Sequence, residues 1–108
     1  FEIQIAGRAA HAGFAPEQGI HAIQIAAQAL SQIQLGRINE DLTVSVGKME
    51  GGTAANIVPD RCTLLGEVRS YSHQKAEEQI CQIEKLFFDH AQQMGAQCNM
   101  NTHCGSKE

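Results

Sequence analysis

Apolar and polar positions alternate through Phe1-Glu2-Ile3-Gln4-Ile5-Ala6, with Phe1, Ile3 and Ile5 on one side. A period of two marks a half-buried strand. The period lengthens over residues 16–35, where Ile20, Ile23, Ala27, Leu30 and Ile33 recur at steps of three and four. That spacing predicts an amphipathic helix. Pro16 suits its first turn and Gly36 its C-terminal stop. A second, shallower stripe of Ala22, Ile25, Ala26 and Ala29 widens the apolar surface. One stripe serves the core; the other is open to a partner or to a broader core contact.

Alternation returns over residues 42–49, with Leu42, Val44 and Val46 inward. A third strand-like run covers residues 61–71. Leu64 and Val68 face its core side, and Leu65, Glu67 and Arg69 share the other. Ser72 is placed as a helix N-cap, and Glu77 and Glu78 as acids favouring the positive end of the helix dipole. Ala76, Ile80, Ile83, Phe87, Ala91 and Met94 form the next apolar stripe, which Gly95 ends. Residues 97–102 read as a weaker last strand and 103–108 as a frayed end.

The order is therefore β-α-β-β-α-β. Strands with one apolar face need one covering layer. The expectation is an α+β, ferredoxin-like two-layer sandwich: a four-stranded antiparallel sheet with two helices on one face. Strands one and three would be central and residues 42–49 an edge, open to pairing with a second copy. The uncovered face carries Glu2, Gln4, Thr43, Ser45, Glu67 and Arg69. It is solvated or faces something outside the domain.

Composition narrows the picture. The 108 residues suffice for one domain with a modest core, set at residues 1–102. With 43% hydrophobic residues the chain is globular. A net charge of −4 without a basic cluster argues against nucleic acid, and the strands lack a stacking aromatic pair for RNA. No apolar run approaches the roughly 18 residues of a membrane span, and no signal peptide is visible. Phe1 already reads as strand, so the chain looks like a piece of something longer. Cys62, Cys81, Cys98 and Cys104 form no C-x-x-C pair, which favours reduced thiols in a cytoplasmic setting.

Candidate chemistry lies in two loops and on one strand. Gly51-Gly52-Thr53-Ala54-Ala55-Asn56-Ile57-Val58-Pro59-Asp60 joins two strand runs. At about ten residues it exceeds the two to five of an ordinary hairpin loop. Its glycines allow positive φ or close approach, and Asn56 offers a neutral donor and acceptor. A second unusual loop spans residues 9–19, where small neighbours leave His11 accessible. His11 could donate to a developing oxyanion or exchange protons. Arg69, on the open sheet face, suits a carboxylate. Taken alone, the loop reads equally as a surface turn, and His11 and Arg69 read first as an ordinary surface histidine and a solvated strand arginine near Glu67. Cys98, His103 and Cys104 make a weak metal cluster on a loose tail. No H-E-x-x-H, nucleophilic triad, P-loop or dinucleotide fingerprint is present. His21, His73 and His90 read as surface or rim residues.

Several segments in order resemble a known family: Gly7-Arg8-Ala9-Ala10-His11-Ala12-Gly13-Phe14-Ala15-Pro16, then Gly19 and Ala22-Ile23, Leu35-Gly36-Arg37-Ile38, the 51–60 loop, and Glu67-Val68-Arg69-Ser70. Together they look like the dimerisation (lid) domain of zinc metallopeptidases related to peptidase T, aminoacylase and carboxypeptidase G. Pro16-Glu17-Gln18-Gly19 and Leu35-Gly36-Arg37-Ile38 point to the peptidase T-like branch. The resemblance covers roughly residues 1–100.

It implies a parent exopeptidase that hydrolyses short peptides, with zinc held in a catalytic domain outside this chain. It implies a homodimer through the 42–49 edge strand and the first helix. His11 matches the lid histidine that stabilises the tetrahedral intermediate in the neighbouring subunit. Asn56 and Arg69 match groups that hold the substrate's carbonyl or carboxylate, and Gly51 and Gly52 would shape their loop. The zinc ligands and the general base are absent from this sequence, so the piece alone is expected to be inactive. The competing expectation is a free-standing small-ligand-binding regulatory module of the same form.

Overall fold

A computed structural model describes residues 1–104. Strands β1 (Glu2–Ala6), β2 (Gly36–Arg37), β3 (Thr43–Gly51), β4 (Arg61–Arg69) and β5 (Gln97–Asn101) form one sheet, with helices α1 (Ala22–Leu30) and α2 (His73–Gln93). The strand order is β2-β3-β4-β1-β5, and every pairing is antiparallel. Ile3 and Ile5 of β1, Val44 of β3 and Cys62 and Leu64 of β4 bury one face of the sheet. Against them pack Ala22, Ile25, Ala26 and Ala29 of α1 and Ile83, Phe87 and Ala91 of α2. The class is α+β with two helices, as the periodicity predicts.

Several details depart from the expectation. The sheet has five strands rather than four, because Gly36–Arg37 pairs with Thr43 and Val44. Residues 42–49 are therefore not a bare edge: their start is covered, and the edge is open only beyond it. Gly36 does not stop a helix; it takes a positive φ of 95° as β2 begins.

The first helix is shorter than residues 16–35. Pro16–Gln18 forms one 3-10 turn. Ile20 then exchanges backbone hydrogen bonds with Arg8, at 3.1 and 2.8 Å, which fixes it extended. The α-helix begins only after His21, whose side chain caps it. It unwinds after Leu30, where Gln32 and Ile33 donate three residues back instead of four. The two stripes also take unequal places. Ala22, Ile25, Ala26 and Ala29 are fully buried, whereas Ile23 and Leu30 are half-buried and Ala27 is exposed.

In α2 the cap is as expected, with Ser72 Oγ accepting from Lys75 N at 3.3 Å. Glu77 and Glu78 fall in the second turn, so they are not first-turn acids. Glu77 instead meets His73 Nε2 at 3.0 Å. Met94 lies beyond the buried stripe and is half-exposed, and Gly95 makes the stop with φ 78°.

β3 runs two residues further than expected, and a bulge at Gly47 breaks its alternation. Val46 opposes Gly66 but Lys48 opposes Leu65. One extra residue reverses the faces that follow. Met49 and Gly51 thus sit opposite the buried Leu64 and Cys62. The expected frayed end falls mostly on residues 105–108, outside the described residues. His103 and Cys104 belong to no strand.

Candidate functional site

The two unusual loops meet at one end of the sheet. His11 forms an isolated antiparallel bridge with Ile57. Ala12 N donates to Asn56 O at 2.9 Å, and Val58 N donates to Ala10 O at 2.8 Å. Gly7 N to Asp60 O, 2.9 Å, and Ala22 N to Pro59 O, 3.0 Å, anchor the far side of the 52–60 loop. Val58 and Pro59 are buried beneath it. A Cβ on Gly19 would stand 2.9 Å from Val58 Cγ1, so the loops interlock through a glycine. Backbone pairing of this kind fixes both loops despite their lack of regular structure.

His11 is half-buried, and Asn56 is exposed. His11 Nδ1 accepts from Gly13 N at 3.0 Å and from Phe14 N at 3.1 Å. Its ring lies 4.5 Å from that of Phe14, tilted by 36°. The Asn56 side chain and His11 Nε2 make no hydrogen bond among the described residues.

Gly51 and Gly52 stand at the base of this rim. A Cβ on Gly51 would lie 2.5 Å from Arg61 O and 3.1 Å from Ile23 Cγ1. Gly52 takes a φ of 87°, which a β-carbon resists. The two glycines let β3 close onto β4 and α1 while the chain turns into the 52–60 loop.

Arg69 stands elsewhere. It ends β4, whose start at Arg61 adjoins the paired loops. At about 3.3 Å per residue the strand carries it roughly 26 Å away. Arg69 Nε donates to Glu67 Oε2 at 2.8 Å on the open face. One chain therefore groups His11, Asn56, Gly51 and Gly52 and separates Arg69.

Near Arg69 is a residue that the sequence did not single out. Asp41 Oδ1 accepts from Tyr71 N at 2.6 Å and Asp41 Oδ2 from Ser70 Oγ at 2.8 Å. The Tyr71 N–H first, then the Ser70 hydroxyl, hold its carboxyl below the usual aspartate range. Asp41 ties the turn before β3 to the start of α2. Its partners lie about thirty residues on, so no local pattern could reveal them.

Among the described residues no three His, Cys, Asp or Glu side chains gather closely enough to hold a metal ion. The residues present do not fit zinc, and the tail cluster of Cys98, His103 and Cys104 forms no site. A hollow of about 480 Å³ lies between α2 and β5 and is lined by residues such as Phe88, Gln92 and Asn99. It contains none of the loop residues. Among the described residues no helix is long and apolar enough to cross a membrane.

Residues 1–94 match the peptidase dimerisation domain family. An uncharacterised protein of Bacillus subtilis, YqjE, is 44% identical over 89% of this chain and 26% of its own length. The aminopeptidase PepT of Bacillus cereus superposes with a TM-score of 0.88 at 41% identity, over 91% of this chain and 26% of that one. A tripeptidase of Staphylococcus aureus superposes at 0.86 and 36%, with the same coverage. The chain thus spans about a quarter of the relatives it matches. These likenesses favour a dimerisation domain over a free-standing regulatory module. The match over residues 1–94 and the fold it accompanies make this chain a member of the peptidase dimerisation domain family.

Proposed function

We propose that this chain is the dimerisation and substrate-capping domain of a cytoplasmic, peptidase T-like zinc exopeptidase that hydrolyses short peptides. The observation that carries this reading is the backbone pairing of the His11 loop with the Asn56 loop, at the end of the sheet opposite Arg69. It brings the His11 and Asn56 side chains to one backbone-tied rim. The likeness to an aminopeptidase and a tripeptidase supports short peptides as the substrate class.

The partner is a second copy, joined through the open part of the β3 edge and through α1. Ile23 of α1 lies against Gly51 and Gly52, so the helix flanks this edge. A two-fold interface sets the two β3 strands antiparallel. The Arg69 end of one sheet then lies beside the loop end of its partner. That arrangement offers a way to unite residues that one chain keeps apart.

In this reading His11 donates to the oxyanion that develops on the scissile carbonyl in the neighbouring subunit. Asn56 holds the carbonyl, and Arg69 holds a substrate carboxylate. Gly51 and Gly52 shape the loop. Zinc, which would polarise the carbonyl and activate water, is held by residues outside this chain. The domain by itself is inactive.

The test is His11→Ala in the longer parent protein. Losing one oxyanion donor costs on the order of a hundredfold in kcat, with KM little changed. An unchanged kcat would contradict the assigned role.

A further inference from the structure

The loop that carries His11 also decides which of its two nitrogens is the donor. Two backbone N–H groups, of Gly13 and Phe14, converge on His11 Nδ1 at 3.0 and 3.1 Å. A ring nitrogen that accepts N–H donors carries no proton of its own. The neutral imidazole must then hold its proton on Nε2, the nitrogen turned away from the loop. The opposite tautomer would set a third N–H against the other two.

Three further features hold this arrangement. Ala15 N donates to His11 O at 3.0 Å and closes the turn. A Cβ on Gly13 would stand 3.3 Å from His11 Cε1 and 3.5 Å from Nδ1, so the glycine leaves the ring its place. Phe14 lays its ring against the imidazole, although it is 86% exposed. An exposed aromatic gains little from burial here. Its contact with His11 is what it offers. His21 shows the same chemistry at the start of α1, where its Nδ1 accepts from Gln24 N at 3.2 Å.

We infer that Gly13 and Phe14 are positioning residues. Their backbone presets His11 as a neutral Nε2–H donor, and the Phe14 ring fixes the plane in which that donor points. The use of this donor rests on the oxyanion role proposed for His11; the tautomer itself rests only on the loop. A preset donor needs no reorganisation when charge develops, which is where such groups gain their effect.

Long-range proton–nitrogen correlation spectra of the 108-residue chain, taken where imidazole is neutral, read the tautomer directly. The expected result is a bare Nδ1 and a protonated Nε2 at His11, with slowed exchange of the Gly13 and Phe14 amides. An Nδ1–H pattern, or an even average of the two, overturns the inference.

Kinetics in the longer parent protein test the ring. Phe14→Ala keeps both backbone donors and should lower kcat about tenfold through misplacement, with KM unchanged. Phe14→Tyr should restore it. An unchanged kcat in Phe14→Ala overturns the positioning role of the ring. His11→Asn separates the two readings, because its amide oxygen can still accept from the turn while the outer N–H is gone. Full activity in His11→Asn, beside a wild-type chain with the expected tautomer, would sink the oxyanion role and leave the tautomer standing.

Discussion

Arg69 and Asp41 occupy the end of the sheet opposite His11, and they differ in how they can be tested. Arg69 is exposed, and its pair with Glu67 is a surface ion pair of small worth. If it holds a substrate carboxylate, Arg69→Ala should weaken binding of substrates with a free carboxylate at least ~10-fold, as a lost charged hydrogen bond does. Michaelis constants for free and amidated peptides check this. Equal losses on both would mark a structural arginine. Asp41 is a matter of stability. Its carboxyl is held below the usual aspartate range by the Tyr71 N–H and the Ser70 hydroxyl. Its contribution is therefore fully present above the unfolded value of about 3.9 and is lost as pH falls through the folded value. Melts at pH 7, 5 and 3 should show the gap between the wild type and Asp41→Asn closing only on acidification. A gap that stays constant with pH would contradict the assignment. His11 and Asn56 could be singled out as candidates because each sits in a loop whose length or composition departs from an ordinary connection. Asp41 was not, because its partners are brought to it only by the fold.

At the scale of elements, period was read well and boundaries less so. The helical spacing of α2 held from Ala76 to Ala91, and Ser72 caps it. Ser72→Ala should lower stability by about 1 kcal/mol, the ordinary effect of losing a cap. Chemical denaturation measures this, and a change below a few tenths would mean that the cap contributes nothing. For α1 the pattern left open which stripe meets the core; Ile25 and the alanines of the second stripe are the buried ones. Small side chains let the helix approach the sheet and α2 closely, a requirement no one-dimensional pattern displays. The bulge at Gly47 was hidden for a related reason. Alternation by two has no mark for one added residue, and only the pairing with β4 reveals that Met49 lies opposite the buried Leu64. The two-residue β2 was too short to carry any period.

For the whole molecule, class and layering followed from four strand runs and two helical runs, and the family followed from ordered motifs that match over residues 1–94. The separation of Arg69 from His11 could not be read in advance, since strand length becomes distance only when register and direction are known. That separation makes pairing of two copies the central claim. The open stretch of β3 beyond Val44, flanked by α1, is the surface assigned to it. The exposed Ala27 lies on α1, where a charge would oppose apolar contact without disturbing the buried stripe. Sedimentation equilibrium of the 11.7 kDa chain, from about 1 to 100 µM, tests this most directly. The account predicts a dimer that Ala27→Glu dissociates; a monomer throughout that range would contradict it.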